Sequence, residues 1–332
     1  MRQSDHWDWL TVVETRLLTP TIREFTLKTP WTAPSAPGEH IDVEAIIDGQ
    51  PDIRSYSIVG ADGPLRRIAV KAAPESRGGS RYMWTLEPGA RLKARAPSND
   101  FELSLGAPAY LLIAGGIGVT PMVAMAERLA QRGAKARMLY AVRTPDELAY
   151  ADVLTAALGE AFEPVIENET GRADLAAAFA TLPEGGEAYI CGPIGMLDAA
   201  RRLWAASGRP RANLRFETFG SSGRYANAPF TVRVPRLGVE AIVPENRSLL
   251  EVLEELGVGV LADCRRGECG LCVVDVVERH GELDHRDVFF SPEQQAEGKR
   301  MCACVSRLAG GELTIEPAYR GDVSITPSKV FG

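Results

Sequence analysis

Six cysteines stand in this chain of 332 residues, and five of them, Cys264, Cys269, Cys272, Cys302 and Cys304, fall within the last 70. The run Asp263 to Cys272 carries the spacing C-x4-C-x2-C. Three thiols bunched in one loop with a fourth far downstream match the plant-type 2Fe–2S pattern. Structural zinc takes two separated pairs instead. Gly267 and Gly270 let the loop bend, so that amide N–H groups can face the sulfurs and tune them. In a reducing compartment such a cluster of thiols reads as a metal site rather than a disulfide set. Counting residues between ligands selects Cys302, with 29 after Cys272, over Cys304, with 31.

Three further segments have the composition of nucleotide sites. Gly115-Gly-Ile-Gly-Val-Thr-Pro121 joins the apolar run Tyr110 to Ala114 to the helical-looking Met122 to Arg132. Its glycines permit close approach of a pyrophosphate, and Pro121 suits a helix start. The motif is not G-x-G-x-x-G, and Arg143 and Thr144 rather than an acid follow the next strand, which disfavours an ordinary Rossmann dehydrogenase. Cys191-Gly-Pro193 ends a later strand; a lone buried cysteine is more often packing. Arg54-x-Tyr56-Ser57 and Gly78-Gly-Ser80 supply an aromatic ring, hydroxyls, a cation and a glycine turn, the parts that a flavin ring and its phosphate require. Taken alone, the first reads more simply as an exposed arginine beside a strand tyrosine.

The elements that must position these residues change character along the chain. Up to about residue 106, short alternating stretches (Glu24 to Lys28, His40 to Glu44, Arg67 to Lys71, Arg91 to Arg95) separated by turn clusters read as an antiparallel barrel or sandwich. From residue 107 to 221, strands alternate with helices: Tyr110 to Ala114, Ala136 to Val142 and Ala188 to Cys191 against Met122 to Arg132, Leu148 to Leu158 and Ile194 to Ser207. That order implies a parallel sheet. Gly220 to Pro229 reads as a linker. Beyond it, Phe230 to Val234 and Val239 to Val243 read as a hairpin and Leu249 to Leu256 as a helix. Val273 to Asp284 reads as a second hairpin, with His280 and His285 as surface or hairpin residues.

Net charge is −7, which argues against a general nucleic-acid binder. The acidity concentrates in 230–332, with 17 acids against 12 bases; it reads as a solvated face, or as a surface for a basic partner. No apolar run opens the chain, and glycines and Pro121 interrupt the most apolar stretch, Ala109 to Ala126, so a cytoplasmic protein without membrane contact is expected.

Taken in order, Arg54-Ser-Tyr-Ser57, Arg77-Gly-Gly-Ser80, Gly115 to Pro121, Cys191-Gly-Pro193, Phe216-Glu-Thr-Phe-Gly220, Asn246-Arg-Ser248, the cysteine loop, Asp284-His-Arg-Asp287 and Cys304-Val-Ser-Arg307 resemble the phthalate dioxygenase reductase family. The resemblance covers about 320 residues. It implies an FMN-binding antiparallel β-barrel domain (1–106), an α/β parallel-sheet NAD-binding domain (107–221), a linker (222–229), an α+β, β-grasp 2Fe–2S ferredoxin domain (230–320) and a tail (321–332). It also implies roles. Tyr56 would lie at the flavin ring, Ser57 at the isoalloxazine edge and Arg54 at the phosphate, with Ser55 among the cofactor-binding residues. Val70 and Lys71 would pass the ring edge. Gly78, Gly79 and Ser80 would cradle the phosphate, with Phe219 beside the flavin. Gly115, Gly116, Gly118, Thr120, Pro121, Cys191, Gly192 and Pro193 would receive the nicotinamide nucleotide. Ser57, Cys191 and Phe219 would border the hydride path. The cluster ligands would be Cys264, Cys269, Cys272 and Cys304, the last chosen by the C-V-S-R motif against the spacing. The implied activity is a monomeric reductase that takes electrons from NADH through FMN and the 2Fe–2S cluster to a Rieske-type terminal oxygenase. Two alternatives remain: a flavin-dependent reductase for a haem or ferric acceptor, and a non-enzymatic iron–sulfur carrier.

Overall fold

The computed structural model describes residues 6–47, 49–73, 78–219 and 223–317. Arg77, Gly220 and the tail 321–332 lie outside the described residues. The chain divides into two compact units, Met1–Glu217 and Thr218–Gly332.

The first unit opens with β1 (Trp7–Thr19), β2 (Ile22–Lys28), β3 (Glu39–Ile47), β4 (Gln50–Asp62), β5 (Leu65–Lys71), the short helix α1 (Gly79–Trp84) and β6 (Arg91–Arg95). β4, β5, β2, β1, β6 and β3 are antiparallel neighbours, and β3 pairs back onto β4, so the sheet closes into a barrel. A two-residue strand, β7 (Ser98–Asn99), adds to β3. Closure removes the exposed edges that open sheets carry. Leu10, Val12, Phe25, Leu27, Ile41 and Val43 fill the interior at period two. β1 and β4 run longer than the short strands expected, with bulges near Glu14 and Val59 bending them around the barrel.

The same unit continues with β8 (Tyr110–Gly115), α2 (Val119–Gln131), β9 (Ala136–Val142), α3 (Ala151–Leu158), β10 (Phe162–Ile166), α4 (Glu167–Thr170), α5 (Leu175–Ala180), β11 (Glu187–Cys191), α6 (Ile194–Ala206) and β12 (Leu214–Glu217). The strands form a wholly parallel sheet in the order β10-β9-β8-β11-β12. β8 is buried along its whole length, which explains its unbroken apolar run. A buried carboxylate, Glu24 of the barrel, joins the two halves: the Tyr150 hydroxyl donates to it at 2.8 Å and Arg16 at 3.0 Å. Burial, and then the charge of Glu24, push the Tyr150 hydroxyl far above the usual tyrosine range.

The second unit holds β13 (Phe230–Val234), β14 (Val239–Val243), α7 (Leu249–Glu255), β15 (Val273–His280), β16 (Leu283–Asp284), α8 (Pro292–Glu297), β17 (Arg300–Cys302), β18 (Arg307–Leu308) and β19 (Glu312–Pro317). The main sheet runs β14-β13-β19-β15-β17, with β13 parallel to β19. The β13–β14 hairpin forms as expected. The expected hairpin over Val273 to Asp284 does not: β15 pairs with β17 and β19, whereas β16 pairs with β18 in a separate ribbon. Gly281 at φ 146 turns the chain between them. α7 starts on a capping box, Ser248 with Glu251, and buries Leu249, Leu250, Val252 and Leu253.

Candidate functional site

The barrel motif lies within β4. Alternation puts Arg54 and Tyr56 on one face and Ser55 and Ser57 on the other. The Arg54 guanidinium lies 2.6 Å from Asp52 and donates to the Ile53 carbonyl at 2.8 Å. Its alkyl chain crosses the start of α1, where a Cβ on Gly79 would sit 2.6 Å from Arg54 Cγ. The fold thus brings together two motifs 25 positions apart. Gly78, at φ 97, caps α1 and approaches Ile47 so closely that a side chain would collide with it. The Ala73 amide donates to the Ser80 hydroxyl at 3.4 Å. Tyr56 is half-buried against the barrel core, and desolvation first of all pushes its hydroxyl far above the ordinary tyrosine value. Ser55 donates to Asp42 at 2.6 Å. The Ser57 hydroxyl is buried and has no hydrogen-bond partner among the described residues, the condition of a polar atom whose partner is a ligand. Val70 points into the barrel core, and its carbonyl accepts from Trp84 Nε1 at 3.1 Å. Lys71 reaches across the unit to Glu147 at 2.9 Å. Burial alone would raise the Glu147 carboxyl, but the hydrogen bond and charge of Lys71 hold it low.

The second site lies at a reversal of strand order. From β8 the chain steps outward to β9 and β10, then returns to place β11 on the other side of β8. Loops at the carboxyl ends of two such strands frame a ligand crevice. Here they are Gly115 to Pro121 after β8 and Cys191-Gly-Pro193 after β11, with Ala114 opposite Cys191 in register. The glycines set how closely they approach. A Cβ on Gly118 would sit 2.2 Å from the Cys191 carbonyl oxygen, and one on Gly115 2.6 Å from Pro193 Cδ. Gly116, at φ 55, faces open space. Pro121 is the third residue of α2, in the turn whose N–H groups lack helical partners. Thr120 is buried and donates to the Ile117 carbonyl at 3.0 Å, holding the turn. Cys191 is fully buried.

In the second unit the cysteine loop curls around Cys264, whose sulfur accepts the amides of Arg266, Glu268 and Cys269, each at 3.4 Å. Cys272 and Cys304 lie 3.1 Å apart, sulfur to sulfur. The neighbouring Cys302 and Cys304 thiols, in that order, hold the Cys272 thiol below the ordinary cysteine value. Gly267 and Gly270 take φ 78 and 73, and side chains there would strike Val305 and Phe289. Free thiols, amides aimed at sulfur and a left-handed glycine bend fit a thiolate-bound cluster. Among the described residues no group of three or more such side chains is already gathered for a single metal ion. β17 ends at Cys302, and the chain turns through Ala303 to Val305. Strand alternation therefore does not carry past Cys302 to Cys304.

The family motifs between these cysteines prove to be scaffolding. Asp287 is wholly buried and accepts from Ser306 Oγ at 2.9 Å and Phe290 N–H at 3.0 Å, with His285 Nδ1 at 3.3 Å. His285 is therefore interior, not a surface residue; His280 is exposed in β15. Asp284 and Arg286 form a buried pair at 2.7 Å. Asp284 accepts the Arg224 amide at 3.0 Å, Arg286 donates to the Tyr225 carbonyl at 3.3 Å, and Arg307 donates to the Ala228 carbonyl at 3.1 Å. The described part of the expected linker, 223–229, is thus fastened to the ferredoxin fold. Thr218 donates its amide to Glu268 at 3.1 Å. Phe219 follows it within the same unit.

Residues 112–202 match the oxidoreductase NAD-binding domain, and residues 232–309 match the 2Fe–2S iron–sulfur cluster binding domain. Phthalate dioxygenase reductase of Burkholderia cepacia is 32% identical over 95% of this chain and 98% of its own. The chain belongs to the phthalate dioxygenase reductase family. A solved structure of phthalate dioxygenase reductase superposes with a TM-score of 0.73 at 31% identity, covering 94% of this chain and 98% of that one. The toluene-4-sulfonate monooxygenase system reductase subunit TsaB1 of Comamonas testosteroni is 36% identical over 84% of this chain and 88% of its own. An intact self-sufficient cytochrome P450 monooxygenase matches with a TM-score of 0.64 at 33% identity over 93% of this chain, which spans 41% of that protein. Like its family, this chain is an oxidoreductase whose modules handle a nicotinamide nucleotide and a 2Fe–2S centre. No helix among the described residues is long and apolar enough to cross a membrane.

Proposed function

We propose that this reductase moves electrons from NADH through FMN to a 2Fe–2S cluster and on to a separate terminal oxygenase of the Rieske type. It would act as a cytoplasmic monomer built from the modules 1–106, 107–221 and 230–320. The observation that carries the flavin reading is the orphaned Ser57 hydroxyl, on the strand whose Arg54 crosses the Gly78–Gly79 turn. Ser57 would donate to the flavin edge and Tyr56 would lie against the ring. Arg54 and the Gly78-Gly-Ser80 turn would hold the phosphate and Ser55, on the opposite face of β4 and tied to Asp42, would support the site from behind, with Phe219 bordering the ring. Val70 would act through its backbone, because its side chain is in the core, and Lys71 would hold the ring edge and Glu147 together. The switch-point loops, from Gly115, Gly116, Gly118, Thr120 and Pro121 to Cys191, Gly192 and Pro193, would seat the pyrophosphate and align the nicotinamide. Cys264, Cys269, Cys272 and Cys304 would hold the irons. Bound there, the cofactors supply the chemistry, converting a hydride into two single electrons, while the protein binds, orients and tunes.

A visible spectrum of the purified protein tests this. Superimposed flavin and ferredoxin bands, both bleached by NADH under anaerobic conditions, are the expected result; absence of flavin sinks it. Arg54→Ala and Tyr56→Ala should each lower flavin content while leaving the ferredoxin bands intact. A haem acceptor is the second reading, favoured by the likeness to the cytochrome P450 monooxygenase. Turnover with a P450 but not with a Rieske oxygenase would select it.

A further inference from the structure

Within the first unit, the barrel and the parallel-sheet half are joined by one passage of chain, between β7 and β8. That passage is pinned: Ser104 Oγ lies 2.8 Å from both Glu187 carboxylate oxygens, and the Ser104 amide donates to the Tyr189 hydroxyl at 2.8 Å. One pinned connection still leaves rotation about it. Packing does not remove that freedom. α2 lies against β4, yet a groove of about 530 Å³ is left between them, with Ile58 and Ala61 on one side and Ala124 and Arg128 on the other. Apolar packing is also non-directional. A directional contact comes from Tyr150, at the start of α3, whose hydroxyl donates to Glu24 of β2 at 2.8 Å. Tyr150 stands at φ 61 and ψ 18, a conformation that a bulky side chain rarely adopts. Glu24 is fixed in turn by Arg16 at 3.0 Å and Arg67 at 3.5 Å, so three barrel strands, β1, β2 and β5, hold the acceptor. Both Tyr150 and Glu24 are buried, so water does not take the place of either.

We infer that Tyr150 and Glu24 are positioning residues for hydride transfer: their hydrogen bond sets the angle between the two halves and so aligns the nicotinamide with the flavin. This rests on the proposed placement of the flavin along β4 and of the nicotinamide at the loops after β8 and β11. Hydride donor and acceptor then sit on different halves of the unit. The hydride, two electrons with their proton, crosses only a short and aligned gap, and a misplacement of about 1 Å costs on the order of 100-fold in rate. Tyr150 lies on the segment that leaves β9, and β9 is paired along its length with β8, which carries the glycine loop. Anchoring that segment to β2 therefore bears on the strand that presents the nucleotide. Burial, and then the charge of Glu24, keep the Tyr150 hydroxyl protonated and able to donate.

The test uses the full-length protein with its cofactors bound, mixed with NADH in an anaerobic stopped-flow instrument. Tyr150→Phe removes one oxygen and leaves the ring in place. It should keep its flavin and its NADH dissociation constant, while the limiting rate of flavin reduction falls about tenfold. The long-wavelength charge-transfer absorbance of nicotinamide stacked on flavin should weaken with it. Glu24→Ala should reproduce the loss, and the double variant should lose no more than either single one, because both remove the same bond. Glu24→Gln keeps a hydrogen-bonding partner for the Tyr150 hydroxyl and should stay near wild type. Flavin-loaded Tyr150→Phe and Glu24→Ala proteins with wild-type limiting rates and charge-transfer bands overturn the inference. So does a raised NADH dissociation constant at an unchanged limiting rate, or an additive loss in the double variant. Loss of flavin from every variant also overturns it, since the bond then holds the fold and not the alignment. A wild-type protein that holds no flavin defeats the functional reading itself, and this inference with it.

Discussion

Asp287 shows how one buried carboxylate can hold in place a turn whose cysteine it does not touch. Its carboxylate collects Ser306, the Phe290 amide and His285 behind the C-V-S-R turn that presents Cys304. Burial would raise its carboxyl, but the bonds from His285, Phe290 and Ser306 outweigh that and hold it below the usual aspartate value. A group depressed in the folded state stabilises the fold above its unfolded value, near 4, and that contribution is lost as pH falls through the folded value. Asp287→Ala strands buried donors and should cost roughly 3–5 kcal/mol. It should also remove part of the acid sensitivity of the second unit. Urea-induced bleaching of the ferredoxin bands, followed in the full chain from pH 7 down to pH 3, reads both effects. Equal acid sensitivity in wild type and variant would refute this role.

At the scale of elements, a segment whose composition suggests a loose linker is tied down along 223–228. Asp284 holds the Arg224 amide, Arg286 the Tyr225 carbonyl and Arg307 the Ala228 carbonyl. Gly223 passes so close to Asp284 that a Cβ would sit 2.1 Å from its carboxylate. The tether is therefore shorter than its run of Gly, Ser, Ala and Asn suggests. Asp284→Ala should release this segment, because it removes one fastening and leaves Arg286 without its buried counter-ion. Limited trypsinolysis of the loaded protein should then cut after Arg224 several-fold faster than in wild type. Equal rates would show that the remaining bonds suffice.

For the whole molecule, the division at Glu217/Thr218 yields a sharper experiment than a cut inside the linker. A fragment of residues 1–217 should bind flavin and reduce ferricyanide with NADH; one of residues 218–332 should show ferredoxin bands alone. Mixed at micromolar concentration, they should pass electrons to cytochrome c far more slowly than the intact chain. A short tether holds its two ends at effective concentrations near millimolar. Stopped-flow reduction of the cluster measures the difference. Equal rates for mixture and intact chain would show that the tether contributes nothing.

The sequence by itself determined the modular order and most of the chemistry. Alternation in β2, β3, β5 and β6, the apolar run of β8, the glycine loops and the cysteine spacing are local patterns, and local patterns follow from side-chain periodicity and turn chemistry. It did not determine which loops meet, which of two cysteines faces the cysteine loop, or what Asp284 to Asp287 and Arg307 do. Those depend on pairings between residues distant in the chain: Arg54 with Gly79, Gly118 with Cys191, Arg307 with Ala228. Spacing counts residues along the backbone. The end of β17 at Cys302 is set by hydrogen bonds from the Val305 and Ser306 amides to the Cys302 carbonyl and from the Ala303 amide to the Cys272 carbonyl, and only the folded ladder decides where those bonds fall.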